Sequence, residues 1–452
     1  MSETLQTEWL LHSFYQWLPF PAEWLPESTY WVGGSLRDAC LQQMGIPGQA
    51  PRAGGADESI DLDLLLGGEV HQPVEWAAAV ARRLRAGFVV LDAERQIARI
   101  VLPKVTLDIA QQMGSTPECD LWQRDFTCNA LALHLQTGQL LDPTGGQLDI
   151  RRRQMRMVRP ENLSADPLRL LRAYRQGAQL GFELETETQR AIQARADLLA
   201  AVAGERVRTE VVALLEAGSR GLDYLQAAVA AGLLRDWLPR LQLQKAGFSQ
   251  AERVWQWAHP WQQQYPRTLA ELAQPLADRR SGLLTVVLAA LLWDPTQAAA
   301  PQAEAVAQDL ERLRFSRAEL RMVQKLYHLL PQLQELLLNS PTPVQQWRLY
   351  QQAGSLFGGL ALLAVASGAD GKKLEPWLRR YEDLADPLAH LVPLLDGKDL
   401  LHSLGAKPGP WVGQLLQALQ EAQVCNQIQS RAEALAFAHR WHEQEQQNQP
   451  KR

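Results

Sequence analysis

The sequence predicts an α+β fold whose N-terminal part mixes strands with helices and whose remainder is helical. Up to about residue 160, short runs rich in β-branched residues alternate with stretches of helical periodicity. From about residue 162, apolar residues recur at helical spacing and β-branched runs become scarce. Polar joints that carry proline, at 300–303, 339–343 and 407–410, divide this helical part.

Individual N-terminal elements follow from local signals. The apolar run 30–32 predicts a strand that ends at two glycines, and Ser35 can cap a helix over 36–44. A loop rich in glycine, proline and alanine covers 45–59, and helical periodicity predicts a helix over 74–86. Four more strands are predicted, over 62–66, 88–91, 97–102 and 105–109.

Length and composition limit the classes of protein to consider. The chain has 452 residues, which is enough for several domains. No apolar run reaches the ~18 residues that a membrane span needs, and the first residues lack the basic flank of a secretory signal. We therefore expect a cytoplasmic protein with no membrane segment. The four cysteines form no CxxC pair, so neither a zinc site nor a disulfide framework is indicated.

The charge pattern indicates a local nucleic-acid surface rather than a global one. The net charge of −5 gives no overall signal. Residues 151–159, however, contain several arginines and no acid, and such a patch can bind RNA phosphates. The alternative is a solvated face. The predicted RNA-binding residues are Arg151, Arg152, Arg153 and Arg156.

The first motif joins a strand to a helix through Gly33 and Gly34. Glycines let the backbone approach a ligand closely, and the N–H groups at the start of the next helix favour an anion. Arg37 adds a cation that suits a triphosphate. The alternative is a simple tight turn, and the motif alone does not decide between the two.

The second motif is a pair of acids, Asp61 and Asp63, among apolar residues. Residues two apart in a strand face the same way, so both carboxylates project from one face. Side by side they repel each other, and a hard cation, Mg²⁺ above all, relieves that cost. Two such ions can activate a 3′-hydroxyl and bind a triphosphate. Asp108 joins this metal site if its strand is a neighbour; otherwise it is an edge-strand acid.

The third motif covers 124–130. Arg124 can bind phosphate, Asp125 can orient it or bind a ribose, and Asn129 can bind a hydroxyl. The alternative is a helix start with a charged cap.

The fourth motif begins a helix, for which Ser164 is the expected N-cap. Asp166 and Arg169 are three residues apart, so on a helix they share a face and present acceptors beside a planar donor fork. That combination can bind the Watson–Crick edge of a base. The alternative is a routine helical ion pair.

In this order the motifs resemble those of the class II CCA-adding enzymes and the bacterial poly(A) polymerases. The pattern is Gly33-Gly34-x-x-Arg37-Asp38, Asp61-x-Asp63, Arg124-Asp125-Phe126-Thr127-x-Asn129-Ala130 and Asp166-x-x-Arg169. Segments 142–146, 204–210, 394–400 and 407–410 also resemble that family. The likeness covers about residues 25–215 well and 385–440 moderately.

The resemblance implies four parts. They are a nucleotidyltransferase head with a mixed β-sheet over 1–150, a helical neck over 151–215, a helical body over 216–340, and a helical tail over 341–452 that binds tRNA. Some relatives carry an HD phosphohydrolase domain. Here Trp293 replaces its histidine ligand, so we expect 250–335 to be a degenerate helical remnant without a metal.

The resemblance also implies roles for single residues. Asp61 and Asp63 would hold Mg²⁺, and Asp125 would lie near the sugar. Asp166 and Arg169 would select the base as a protein template. The residues expected to contact the triphosphate or other phosphates are Gly33, Gly34, Arg37, Arg124, Arg172 and Arg175.

Three positions depart from the family pattern. Ala165 stands where a glutamate precedes the template aspartate, and Gln123 replaces the first arginine of the usual Arg-Arg-Asp. Met113 stands where an arginine follows the strand that carries Asp108. Residues 113 and 165 lie in or near segments that must rearrange when specificity changes from C to A.

We therefore predict an enzyme that transfers CMP and AMP from CTP and ATP to the 3′ end of tRNA and releases pyrophosphate. One alternative is a CC-adding or A-adding enzyme that performs part of this reaction. A second is a poly(A) polymerase on the same scaffold. A third is an RNA-binding protein without catalysis, against which the intact Asp61 and Asp63 argue.

Overall fold

The computed structural model describes residues 6–46, 60–67, 72–242, 246–277 and 280–448. Most of the loop predicted over 45–59 lies outside these residues. The chain divides into two compact units, Met1–Pro239 and Arg240–Arg452. The finer division into head, neck, body and tail stays a prediction.

A seven-stranded mixed sheet lies at the centre of the first unit, and it confirms the predicted α+β class. Its strands are β1 (Thr29–Val32), β2 (Ile60–Leu66), β3 (Gly87–Asp92), β4 (Ile97–Val101), β5 (Val105–Gln111), β6 (Ala132–His134) and β7 (Leu140–Leu141). Across the sheet the order is β3-β4-β5-β2-β1-β6-β7. β2 and β5 pair in parallel, and the other neighbours pair antiparallel.

The sheet is built around β2 and β5 because these strands carry its most apolar stretches. Leu62 and Leu64 of β2 are buried, as are Leu107 and Ile109 of β5. Side chains alternate along a strand, so the acids of β2 occupy the face opposite Leu62 and Leu64. The parallel register pairs residue 63 with residue 108, which brings the acids of the two strands side by side.

Helices complete the first unit, together with a short parallel pair of strands, β8 (Gln154–Met155) and β9 (Glu183–Leu184). The helices are α1 (Thr7–Tyr15), α2 (Gly33–Gln43), α3 (Pro73–Leu84), α4 (Pro117–Leu121), α5 (Gly146–Arg152), α6 (Pro160–Ala165), α7 (Leu168–Leu180), α8 (Thr186–Gln193), α9 (Gly204–Glu216) and α10 (Gly218–Ala230). Short 3₁₀ helices cover Ala22–Trp24, Thr127–Asn129 and Ala196–Ala201.

Both serine caps proposed from the sequence are wrong. α2 begins at Gly33, and the Ser35 hydroxyl accepts a hydrogen bond from the Trp31 indole N–H at 2.8 Å. Ser164 lies inside α6, where its hydroxyl accepts from the Arg195 guanidinium at 3.0 Å. In each case a partner from another turn or segment binds the hydroxyl that the local pattern assigned to a cap.

In its described residues the second unit is helical apart from one antiparallel pair of short strands, β10 (Pro275–Ala277) and β11 (Arg280–Ser281). Its helices are α11 (Ala246–Gln264), α12 (Pro266–Ala273), α13 (Gly282–Leu292), α14 (Ala299–Arg312), α15 (Arg317–Leu338), α16 (Pro343–Ala353), α17 (Phe357–Ala366), α18 (Gly371–Glu382), α19 (Gly397–Leu404), α20 (Trp411–Val424) and α21 (Arg431–Asn448). Further 3₁₀ helices cover Pro239–Gln242 and Gly354–Leu356.

The core of this unit contains α13 and α17, and α17 is buried along its whole length. Within the described residues, Pro343–Ala366 is the stretch long and apolar enough to cross a membrane, and 72% of its most apolar window is buried inside the fold. Burial of that extent is expected of a core helix. Trp293, predicted to replace a histidine ligand, is buried and packs edge-on against Tyr327, with ring centroids 4.8 Å apart. The absence of a metal there stays a prediction.

Candidate active site

The acids of β2 lie beside the start of α2. Asp61 is exposed and Asp63 is partly buried. Burial raises the pKa of the Asp63 carboxyl, and the negative charge of Asp108 raises it further. Arg124 and the Gly34 N–H, which donates to that carboxylate, act in the opposite direction. A carboxylate in these surroundings gains from a nearby cation.

Two constraints require glycine at position 33. Its φ of +77° lies in the left-handed region, which other residues adopt at a cost. A Cβ there would lie 2.2 Å from Oδ2 of Asp63, so any side chain would displace the carboxylate. The close backbone approach that the sequence predicts at Gly33 is thus made to the acid of β2.

Asp108 has a partner that the sequence analysis missed. Its strand does lie next to β2, as the prediction of a third metal ligand requires. Arg99 of β4, however, donates from Nε and Nη2 to the two carboxylate oxygens of Asp108, each at 2.7 Å. This bidentate pair uses the oxygens that a metal ion would need. Asp108 as a metal ligand stays a prediction, and Arg99 would compete with the ion for this carboxylate.

The oxygen atoms of the acidic pair are suitable ligands for a divalent cation, but the pair supplies only two side chains. Among the residues that the structure describes, no group of three His, Cys, Asp or Glu side chains is arranged to hold a metal ion. Asp61 and Asp63 nevertheless supply oxygen donors from one face of one strand, and burial together with the nearby charge of Asp108 raises the pKa of Asp63 despite Arg124 and the Gly34 N–H. A hard cation such as Mg²⁺ prefers oxygen ligands of the kind that these two carboxylates provide.

Arg124 is oriented by Asp120, a residue that the sequence analysis did not select. Nε and Nη2 of Arg124 donate to Oδ2 of Asp120 at 3.2 and 3.1 Å. The buried Asp120 also accepts from the Met113 N–H at 3.2 Å. The pairing forms across the turn that follows α4, so helical spacing does not explain it. The Arg124 charge reaches Asp63, whose pKa it lowers.

A network of hydrogen bonds centres on Asn129. Its Nδ2 donates to Oδ1 of Asp125 at 2.9 Å and to Oε1 of Gln176 at 2.8 Å. Its Oδ1 accepts from Nη1 of Arg37 at 2.7 Å. Both N–H groups of this buried amide are therefore used internally. In this arrangement Asn129 positions other residues, and its predicted contact with a ligand hydroxyl stays a prediction.

Arg37 connects α2 to this network. Its side chain is 11% exposed and also pairs with Asp38 at 2.8 Å. The sequence analysis assigned Arg37 to the triphosphate, which stays a prediction. The position of its guanidinium between Asp38 and Asn129 instead indicates a link between two motifs.

Asp125 is the acidic member of the network. Its carboxylate forms an ion pair with Arg172, whose Nε lies 3.1 Å away, and accepts hydrogen bonds from the Phe126 N–H at 2.8 Å and from Asn129. Burial alone would raise the pKa of Asp125, but Arg172 and the two hydrogen bonds outweigh it and hold the pKa below its ordinary value. Asp125 is therefore a carboxylate fixed in its ionised form.

The residues predicted to select the base are held separately. Asp166 lies between α6 and α7, so it does not share a helix face with Arg169 as predicted. Its carboxylate accepts from Nη2 of Arg206 at 3.2 and 3.1 Å. Nη1 of Arg169 donates to the backbone carbonyls of Gln123 at 2.9 Å and Asn162 at 3.3 Å.

Besides Arg37, Arg124 and Arg172, the arginines predicted to contact phosphate or RNA fall into two groups. Nε of Arg175 donates to the buried Glu210 at 2.5 Å, and Nε of Arg156 pairs with the buried Asp149 at 3.1 Å. Both therefore have partners within the fold. The exposed group, at the C-terminal end of α5, is Arg151, Arg152 and Arg153.

Three family models match the chain. A poly A polymerase head domain matches residues 29–156, which contain the acidic pair, Arg37, Asp125 and Asn129. A probable RNA and SrmB-binding site of polymerase A matches 181–244. A putative domain 2 of tRNA nucleotidyltransferases matches 289–438.

Individual proteins are similar over most of the chain. A CC-adding tRNA nucleotidyltransferase from Synechocystis is 36% identical and covers 94% of this chain and 96% of its own length. An A-adding tRNA nucleotidyltransferase from Deinococcus radiodurans is 32% identical and covers 82% of this chain and 90% of its own.

A solved structure of a CCA-adding enzyme in complex with ATP shares the fold, with a TM-score of 0.66 at 21% identity and 90% coverage of both chains. The two relatives match nearly their whole lengths at identities above 30%. The fold, the order of the motifs and these relatives agree. The chain belongs to the tRNA nucleotidyltransferase family.

Proposed function

We propose that this chain adds nucleotides, without a nucleic-acid template, to the 3′ end of tRNA. The observation that carries the proposal is the connection of the acidic pair, Arg124 and the segment 125–129 around the start of α2. The relatives named for tRNA nucleotidyl transfer support the same reaction. Because the reaction consumes CTP or ATP and acts on tRNA, we also propose a cytoplasmic location.

The acidic pair and its neighbours would bind the triphosphate. Asp61 and Asp63 would hold Mg²⁺, which supplies charge compensation for the triphosphate and lowers the pKa of the attacking 3′-hydroxyl. Arg124 would bind the phosphates, and the N–H groups at Gly33 and Gly34 would add donors at the start of α2. The RNA 3′-oxygen bonds to the α-phosphorus as the bond to the β-phosphate oxygen breaks. The hydroxyl proton is lost to solvent, and pyrophosphate leaves.

Asp125 of the head would bind the sugar, and the neck would bind the base. Asp125, fixed as a carboxylate, would accept a hydrogen bond from a ribose hydroxyl. Nε and Nη2 of Arg169 have no hydrogen-bond partner in the described part of the chain, so they remain available to a base. Asp166 would share its carboxylate between Arg206 and the base. Arg172 and Arg175 would act mainly through Asp125 and Glu210.

CC addition is the form of this reaction that we favour. The relative with 36% identity over 94% of the chain is named CC-adding, whereas the A-adding relative is less similar and covers less of the chain. Ala165 and Met113 also depart from the family pattern near segments that must rearrange for the change from C to A. Full CCA addition is the second candidate, because Asp166 and Arg169 are both present.

The deciding experiment uses three forms of one tRNA, which lack CCA, end in the first C, or end in the second C. Each is incubated with labelled CTP or labelled ATP and Mg²⁺, and an unstructured oligonucleotide serves as the control RNA. CC addition predicts C on the first two forms and nothing on the third. Full CCA addition predicts A on the third form as well.

The remaining alternatives give other products. Long A tracts on the unstructured oligonucleotide would identify a poly(A) polymerase. A on the third form without any C would identify an A-adding enzyme. RNA binding without Mg²⁺-dependent incorporation of any label would overturn the proposed reaction altogether.

A further inference from the structure

Three consecutive backbone carbonyls follow the end of α4, and two side chains from the neck bind them. The Asn162 Nδ2 donates to the carbonyls of Trp122 at 2.9 Å and Arg124 at 2.7 Å. The carbonyl between them, of Gln123, accepts from Nη1 of Arg169 at 2.9 Å. Arg169 also donates to the carbonyl of Asn162 itself, at 3.3 Å.

The chemistry of this contact fixes its direction. Carbonyls past the end of a helix lack a following turn to supply N–H donors, so they need donors from elsewhere. An asparagine amide has two N–H donors on one nitrogen, and both neighbours here are acceptors. Only the nitrogen of Asn162 can face them, which leaves one orientation of the side chain. Asn162 also lies in α6, four residues before Asp166.

We infer that Asn162 is a positioning residue that couples the triphosphate segment to the base-selecting arginine. It holds the backbone on both sides of Gln123, and so sets where the Gln123 carbonyl meets Arg169. The same bonds fix the backbone from which Arg124 extends towards Asp63. A shift of this backbone would therefore displace two guanidinium groups together. One is that of Arg169, which is proposed to bind the base, and the other is that of Arg124, which is proposed to bind the phosphates. The inference rests on the proposed function of Arg124 and Arg169.

The test compares substitutions at Asn162 with one at a neighbour. Asn162→Ala removes both donors, and Asn162→Asp keeps the shape of the side chain but places acceptors against the two carbonyls. Glu161→Gln is the matched control, because Glu161 is exposed in the first turn of the same helix. For each variant, kcat and KM are measured with CTP and with UTP on tRNA that lacks CCA. The affinity for tRNA and the melting temperature are measured in parallel.

Loss of two hydrogen bonds that orient a binding group should raise KM for CTP about tenfold and lower the preference for CTP over UTP by a similar factor. The affinity for tRNA should change by less than about twofold, since phosphate contacts dominate it. Asn162→Asp should have at least the effect of Asn162→Ala, and Glu161→Gln should behave as the wild type.

Two results would overturn the inference. The first is an unchanged preference for CTP over UTP in Asn162→Asp that still folds. The second is an equal fall of kcat for both nucleotides with unchanged KM, which would mean that Asn162 is only structural. If the wild type itself transferred neither CMP nor AMP to any of the tRNA forms, the proposed function would fail instead, so the two failures are distinguishable.

Discussion

The carboxyl pKa is shifted in opposite directions in two regions of the first unit. One region is the acidic edge formed by β2 and β5, and the other is the network around Asn129. At the acidic edge, Asp63 faces Asp108, and burial together with like charge raises its pKa. In the network, Asp125 faces Arg172 and two hydrogen-bond donors, and its pKa is lowered. Both carboxylates are shielded from water, so the difference comes from their partners.

The contrast separates two tasks. A cation stabilises a carboxylate most when burial and like charge disfavour the ionised form. Until a cation binds, that unfavourable electrostatic energy lowers the stability of the folded protein. A network whose donors and acceptors are matched keeps its shape without a ligand. We therefore expect substitutions at the acidic edge to remove activity without loss of stability. Substitutions in the network should lower the free energy of unfolding first.

The largest effect is expected from Asp63→Asn. Loss of a ligand for Mg²⁺ should lower the rate of CMP transfer by about a thousandfold or more. The folded-state pKa of Asp63 is raised, so its ionisation opposes folding as pH rises through that pKa. Without divalent cations, the variant should therefore be more stable than the wild type, and its advantage should grow as pH rises from the ordinary carboxyl pKa to the raised pKa of Asp63. Urea unfolding in a chelator measures this.

Asp92→Asn, on β3 of the same sheet, is the control and should change neither property. Near-normal transfer by Asp63→Asn would show that the acidic pair is not the catalytic site. A variant less stable than the wild type at pH 8 would contradict the contrast between the two regions.

The second effect is expected from Asn129→Leu. The variant loses three hydrogen bonds in a buried place and leaves Arg37, Asp125 and Gln176 with unmatched polar atoms. The free energy of unfolding should fall by about 2–4 kcal/mol. Gln136→Leu, in the exposed turn between β6 and β7, should change it by less than about 0.5 kcal/mol. Equal values for the two variants would mean that the network contributes no stability.

The parts of the fold that the sequence predicted well are those with a local cause. Five strands of the sheet lie within two residues of their predicted bounds, because their β-branched and apolar residues specify an extended, buried chain. β6 to β9 were missed, since two or three residues are too few for an alternating pattern. The serine caps failed for another reason, because Trp31 and Arg195 bind those hydroxyls.

A smaller effect is expected from Arg99→Gln. The substitution removes a cation beside the acidic pair and frees the oxygens of Asp108. The Mg²⁺ concentration for half-maximal transfer should fall about threefold, a modest change because Arg99 is 42% exposed and its charge is screened. Asp108→Asn should raise that concentration. A higher Mg²⁺ requirement in Arg99→Gln would mean that the pairing assists metal binding.

The site could be predicted from the sequence only one segment at a time. Strand alternation placed Asp61 and Asp63 together, and the neighbouring position of Asp108 followed once β2 and β5 were paired. The partners that orient the site come from other segments. Gln176 lies 47 residues from Asn129, and nothing in its local pattern marks it as more than a helical residue. Roles that depend on such partners need the folded chain.

The smallest effect is expected from substitutions at the end of α5. There the comparison is between exposed arginines and an arginine that is paired within the fold. Arg152 and Arg153 are exposed, whereas Arg156 is paired with Asp149. Arg152→Ala combined with Arg153→Gly should flatten the dependence of tRNA affinity on salt by about one log–log unit for each RNA phosphate that the variant no longer neutralises. Glycine suits position 153 because its φ is +53°.

Arg156→Gln is the control, and it should leave the salt dependence unchanged while lowering stability, because it removes the partner of a buried acid. Filter binding from low to high salt gives the slopes, and urea unfolding gives the stabilities. An unchanged slope in the double variant would mean that the exposed arginines form only a solvated face. A flattened slope in Arg156→Gln would mean that an arginine already paired inside the fold still reaches the RNA, so that pairing does not separate structural from RNA-binding arginines.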